Sequence, residues 1–278
     1  MSALEPLPDL SDTSMPRDGR GRWLQILLPV LVLAVAIAAW DLVVRLNGIP
    51  PYLLPGPGLV FKTVLADWST LSESLGVTLL TALEGFVAAA VGGIALALLF
   101  SQSKWLEYSL LPYAVVLQVT PVIAIAPLML IYLPQQTAVV VCAWIVAFFP
   151  VLANTTLGLH SVDRNLAGLF QLYGASRMQT LLYLKLPAAL PFMLGGLRIA
   201  GGLSLIGAVA AEIAAGAAGA GSGLAYRISE SSYRLNIPRM FAALLLLSVA
   251  GIVIYSLLAL VSHVLLRRWH ESALRKEI

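Results

Sequence analysis

The sequence predicts an all-α integral membrane protein of about six transmembrane helices, with a two-helix cytoplasmic loop between spans four and five. Three observations carry that expectation. Of 278 residues, 59% are apolar and 11% charged, against roughly 45–50% and about 25% in an ordinary soluble domain. Mean hydropathy is +0.89. Apolar stretches recur at the roughly 20-residue length a helix needs to cross a bilayer. A soluble globule of this composition could not cover its surface with polar groups, so disorder, coiled coil and most soluble enzymes are excluded. Cys142 is the only cysteine, which rules out an internal disulfide or a thiolate-held metal. His160, His263 and His270 are scattered in sequence and suggest no metal cluster. The pI near 9.1 rests on a net charge of only +3, too little to argue for nucleic acid.

Residues 1–22 form an N-terminal tail, and 23–266 a single transmembrane domain followed by a tail at 267–278. The first span covers 24–46; no small-residue cleavage site follows it, so it reads as a retained anchor. An outer segment at 47–74 opens with the turn-rich IPPYLLPGPG. The second span, 75–100, carries one internal acid, Glu84. Between Glu107 and Asp163 lie 55 residues without Asp, Glu, Lys or Arg, too many for one crossing. The turn signal Leu133-Pro134-Gln135-Gln136-Thr137 divides them into spans 110–132 and 138–159. A Gly/Ala-rich fifth span runs 187–216, the outer AGAAGAGSG run follows, and the sixth span is 240–266. An even number of spans puts both termini on one side. Eleven Lys and Arg fall on that side and five on the other, so the termini are expected in the cytoplasm.

The inner connection, 160–186, is the longest cytoplasmic loop. Leu166, Leu169, Phe170 and Tyr173, then Met178, Leu181, Leu182 and Leu184, recur at helical spacing on either side of Gly174. Two short amphipathic helices outside the membrane imply a partner surface or packing onto the protein's own helix ends.

Catalytic motifs are absent. GPGLVFKT at 56–63 misses the phosphate-cradling loop, because Phe61 stands where Gly must precede the Lys; it also falls on the outer side. There is no H-E-x-x-H, no G-x-S-x-G and no carboxylate pair at metal-ligand spacing. No enzyme activity, metal or cofactor is expected of this chain.

Charges inside spans are the default functional candidates, since each is costly against lipid. Glu84 lies mid-span, and Arg198 in the inner half of span five. Glu212 lies fourteen residues, about 21 Å, beyond it on the same helix. Two readings stand for Glu84 and Arg198: pairing with each other or with helix-end carbonyls, or lining a translocation path. Asp41 sits at the outer boundary and reads as solvated. Pro112, Pro121 and Pro127 free carbonyls that can line a cavity, with Gln118 and Thr120 beside them as path candidates. GGLRIAGGLSLIG, 195–207, supplies small residues for close helix approach, either as plain packing or as a sliding seam.

The run LYGASRMQTLLYLKLPAALPFMLGGLRIA, 172–200, resembles the hallmark loop of ATP-binding-cassette importer permeases. That pattern is acidic-Ala-Ala, three residues, Gly, nine residues, an apolar residue, any residue, then Leu-Pro. Gly174, Leu184, Leu186 and Pro187 match in register, whereas Gly168, Leu169 and Phe170 replace acidic-Ala-Ala. LLPGP at 53–57, the T-L-x5-G-F run at 78–86, FFPVLANTTLGL at 148–159, and GLRIA followed by AEI at 211–213 are similar to one subgroup. Its members import nitrate, sulfonates, taurine, bicarbonate, thiamine-precursor pyrimidines or riboflavin.

The resemblance implies a permease subunit of a binding-protein-dependent importer in the bacterial inner membrane, moving a small polar solute by alternating access. Gly174, Ala175, Ser176, Arg177, Leu184, Leu186 and Pro187 would form the coupling loop. The implied partners are a second permease chain (a homodimer), two cytoplasmic ATP-binding subunits that alone hold ATP, and an extracytoplasmic binding protein. The alternative is an ion-coupled secondary transporter working through Glu84, Arg198 and Glu212, although no inverted repeat supports it.

Overall fold

The structure is a computed structural model that describes residues 20–216 and 221–267, with side chains from residue 27 onward. Most of the tail expected at 1–22, residues 217–220 of the outer glycine-rich run, and 268–278 of the C-terminal tail lie outside the described residues. The described residues form helices and connecting turns, with no strand among them.

Helix α1 (Arg20–Leu46) and the turn-rich segment to Pro57 form one unit. From Leu27 to Ala39 every side chain of α1 is exposed, as suits a helix that is apolar all round and meets lipid. Asp41, expected to be solvated, keeps part of its side chain exposed and pairs with Arg45 at 2.7 Å one turn away. Such an exposed pair adds at most about 1 kcal/mol.

The second unit begins at Gly58. It holds α2 (Pro57–Ala66, all but its first residue), α3 (Trp68–Gln102), α4 (Lys104–Val119), α5 (Val122–Tyr132) and α6 (Gln135–His160). Then come α7 (Arg164–Leu172), α8 (Arg177–Thr180), a π-helical turn (Leu181–Lys185), α9 (Leu186–Ala215), α10 (Leu224–Tyr233) and α11 (Ile237–Leu266). Its centre is α6, flanked by α3 and α9. Buried positions on α3 (Thr78, Ala82, Gly85, Ala89, Gly93, Ala97, Phe100) recur every three or four residues, which is one helical face. Small residues set the spacing. A Cβ on Gly85 would lie 2.5 Å from that of Ala143, and a Cβ on Gly207 would lie 2.9 Å from the Ala143 Cα. One alanine of α6 is thus gripped between glycines of α3 and α9, the close approach that helix association without a hydrophobic drive requires.

Five helical stretches are long and apolar enough to cross a membrane, and six if the α4–α5 pair counts as one. That pair departs from the expected third span, because its two helices meet at 99°. The break follows from Thr120-Pro121. Proline lacks the N–H that would continue the ladder and drives the preceding residue extended; Thr120 has φ −74°, ψ 123°. Pro112, Pro127, Pro150 and Pro191 stay inside helices.

The loop at 160–186 also differs from expectation. Its first helix, α7, starts at Asp163, whose carboxylate accepts from the Asn165 N–H at 2.7 Å. Its second half is not a separate helix: Arg177–Ala215 is one continuous 39-residue stretch. The π-turn explains the fusion. The Leu186 N–H reaches back to the Leu181 carbonyl, an i→i+5 bond placed just before Pro187, so the missing proline donor is absorbed without a break.

Candidate functional site

Two regions carry polar or exposed groups that packing alone does not require. One is the elbow between α7 and α8. Gly174 sits there at φ +68°, a left-handed conformation that side-chain-bearing residues rarely adopt. Its N–H donates to the Gln171 carbonyl at 3.0 Å, and the Ala175 N–H to the Phe170 carbonyl at 2.9 Å, closing α7. Ser176 then opens α8 with a reciprocal capping box to Gln179, which satisfies two end donors at once. These hydrogen bonds tie the elbow's backbone, and its surface carries exposed apolar side chains among polar ones. Leu172 and Tyr173 are 85% and 83% exposed, with Met178 and Tyr183 also out. A cleft of about 490 Å³ lies between Leu169, Phe170, Tyr173, Gln179 and Tyr183.

The predicted coupling residues therefore fall into two places. Gly174, Ala175, Ser176 and Arg177 form the elbow itself. Leu184, Leu186 and Pro187 are half-buried at the root of α9. Lys185 beside them donates to the Ser101 carbonyl at the C-terminal end of α3, at 3.5 Å. Phe170, Tyr173, Gln179 and Tyr183 were not singled out as site residues from the sequence, though the apolar spacing around Gly174 contained the signal for the aromatics.

The second region is at the opposite end of the bundle. Glu212, near the end of α9, is only 4% exposed. The Thr78 hydroxyl of α3 donates to its two carboxyl oxygens at 2.8 and 3.0 Å, and the Ala225 N–H donates at 3.1 Å. The Leu224 N–H in turn donates to Thr78 Oγ1 at 2.9 Å. One carboxyl and one hydroxyl thus satisfy the first orphan N–H groups of α10 and tie α3, α9 and α10 together. Gly223 abuts the carboxyl so closely that any Cβ would collide with it. Around this knot, Arg227 donates to Ser74 at 3.0 Å and pairs with Glu230, while Arg239 of α11 pairs with Asp67 at 2.9 Å. None of these partners was apparent from the sequence.

The other path candidates are dispersed. Arg198 lies over the Tyr255 ring of α11, 5.9 Å from its centroid, and its Nε is buried without a hydrogen-bond partner. Glu84 points away from the bundle core and is exposed. The two therefore do not pair with each other. Gln118 is exposed beside the α4–α5 break, and the Thr120 hydroxyl donates to the Val116 carbonyl at 2.6 Å. No hydrogen bond or ion pair joins any two of Glu84, Gln118, Thr120, Arg198 and Glu212 among the described residues. Among those residues no cluster of metal-ligating side chains occurs either.

Residues 89–269 match the family model described as the binding-protein-dependent transport system inner membrane component. The riboflavin transport system permease protein RibX of Chloroflexus aurantiacus is 33% identical over 91% of this chain and 93% of its own. The formylaminopyrimidine transport permease protein ThiX of Halalkalibacterium halodurans is 33% identical over 87% of this chain and 96% of its own. A crystal structure of an amino acid ABC transporter with histidines shares the fold, with a TM-score of 0.60 at 19% identity, over 72% of this chain and 96% of that one.

Proposed function

The chain belongs to the family of binding-protein-dependent transport inner membrane components, and from that premise we propose that it is a gate driven by force from a separate ATPase. As an importer permease it is a transport component and not an enzyme. The observation that carries the proposal is the elbow. Leu172 and Tyr173 stand almost fully exposed on a backbone fixed by the left-handed Gly174 and the Ser176 capping box. An apolar, pre-ordered surface outside the membrane suits docking into a groove, because little conformational entropy remains to be lost on binding.

In this reading α7 and α8 seat on a cytoplasmic ATP-binding subunit. Two such subunits serve two copies of this chain, an extracytoplasmic binding protein delivers the solute, and both termini are cytoplasmic. Closure of the ATPase pair moves the elbow. Because α8 runs through the π-turn into α9 without a break, that movement passes directly along a helix reaching the outer knot at Glu212. The bundle then exchanges outward- and inward-facing packings, which nucleotide and loaded binding protein bias differently. The cargo is a small polar solute, either an oxyanion of the nitrate, sulfonate or taurine kind or a heterocycle of the pyrimidine or riboflavin kind. Riboflavin and formylaminopyrimidine are named for relatives at 33% identity, which supports the heterocycle. Neither fold nor relatives support the ion-coupled alternative.

Membrane vesicles carrying the chain with its partner subunits test this. Uptake should stop on ATP depletion and stay stopped under an imposed proton gradient. Uptake restored by the gradient alone would overturn the proposal.

A further inference from the structure

Glu84 is at the centre of α3, sixteen residues after Trp68 and eighteen before Gln102. It faces away from Ala82, Gly85 and Ala89, which pack on the bundle, and shares its outward face with the exposed Leu80, Val87 and Val91. It makes no ion pair among the described residues. A carboxylate in the middle of a span is costly against acyl chains, so such groups face a water-containing cavity or a partner.

Leu80, one turn before Glu84, and Val77, two turns before it, enter a cleft of about 380 Å³ that also meets Thr81, Gln135, Gln136 and Glu212. Glu84 does not itself line the cleft, but Leu80, which does, is one turn away on the same helix face. Among the described residues Glu212 is the one ionisable side chain lining the cleft, and no Lys, Arg or His lines it. Arg198, the basic side chain at comparable depth, is turned to Tyr255 on α11.

We propose that the Leu80–Glu84–Val91 face of α3 borders the solute passage and that Glu84 makes the passage favour neutral or cationic solutes over anions. The proposal rests on the importer reading and deepens it, selecting a neutral or cationic heterocycle from the solute classes named above. The physical basis is the field of a negative charge in a site of reduced dielectric, with no ion-pairing cation on it among the described residues.

The buried Cys142 is the only thiol, so a Cys142→Ala background lets a single new cysteine report the local potential. Leu80→Cys, one turn from Glu84, is treated in membranes holding the whole assembly. The probes are a trimethylammonium methanethiosulfonate and a sulfonate methanethiosulfonate of similar size. Tyr233→Cys, on the exposed outer helix, gives the reference ratio of rates. The cation-to-anion ratio at Leu80→Cys should exceed the reference at least about tenfold, the ratio that a charge roughly 6 Å away gives even at the dielectric of water. Adding Glu84→Gln should return it to the reference, and adding Glu84→Arg should invert it. A Leu80→Cys thiol sealed from both reagents, or a ratio that Glu84→Gln leaves unchanged, would overturn the proposal. Retention of a cytoplasmic ATPase is scored on the same membranes. Retained ATPase with a sealed thiol sinks this proposal alone, whereas lost ATPase with the expected labelling sinks the importer reading alone.

Discussion

Replacing Thr78 by valine tests the outer knot, because the two side chains have nearly the same shape and differ in one hydroxyl. Thr78 is fully buried, and so is Leu224, whose N–H it accepts at 2.9 Å. Thr78→Val leaves that N–H without a partner, at a cost of about 1–3 kcal/mol. It also deprives the Glu212 carboxyl of a donor held at 2.8 Å, which costs about another 1–2 kcal/mol. Interhelical hydrogen bonds within membranes average less than such estimates, near 0.6 kcal/mol. This knot includes two backbone N–H groups at a helix start, so we expect about 2–4 kcal/mol in total. At roughly 2–4 °C per kcal/mol for a chain of this size, the unfolding temperature should fall by about 5–15 °C. Cys142 is fully buried, so a thiol-reactive dye in detergent reports unfolding directly. Thr78→Ser keeps the hydroxyl and should lose less than half as much. A Thr78→Val protein as stable as Thr78→Ser would refute the reasoning, for the hydroxyl would then contribute nothing.

The same dye assay checks two further expectations. Gly207→Val drives a side chain into the Ala143 backbone and should cost about 3 kcal/mol or more. Gly202→Ala meets nothing within 4 Å and should be neutral or stabilising by up to about 1 kcal/mol; equal effects at the two sites would contradict the packing described. Arg198→Met removes a guanidinium whose Nε is buried and unpartnered while keeping the stem that packs on α11. It should raise stability by about 1 kcal/mol, and a clear fall in unfolding temperature would show that Arg198 has a stabilising partner.

Composition and apolar run lengths were enough to read the fold class, because a bilayer dictates both. The third span shows where that reading stops. Proline occurs in α4, α5, α6 and α9, and only at Thr120-Pro121 does the chain turn by 99°. Which proline breaks a helix depends on whether neighbours re-satisfy the freed carbonyls, a tertiary matter. The fusion of α8 with α9 escaped for a related reason: Pro187 looks like a helix start, and the π-turn that absorbs it has no sequence signature. At the candidate site, Gly174 was legible because a glycine between two apolar-faced stretches marks a break. Asp41 could have been matched to Arg45 by its spacing of four. Glu212 could not be matched to Thr78, which lies 134 residues earlier in the chain, so a lone acid in a span read as a path residue. The carboxyl that holds α10 was invisible until the helices were placed side by side.

The claim that force enters through the elbow is tested most directly by changing its surface without touching its backbone. Leu172→Asp combined with Tyr173→Asp alters two almost fully exposed side chains, so the dye-reported stability and membrane insertion should stay unchanged. The ATPase that co-purifies with the unaltered chain should be lost from the double variant, and ATP-driven uptake with it. A double variant that still retains the ATPase and still imports at full rate would contradict the account.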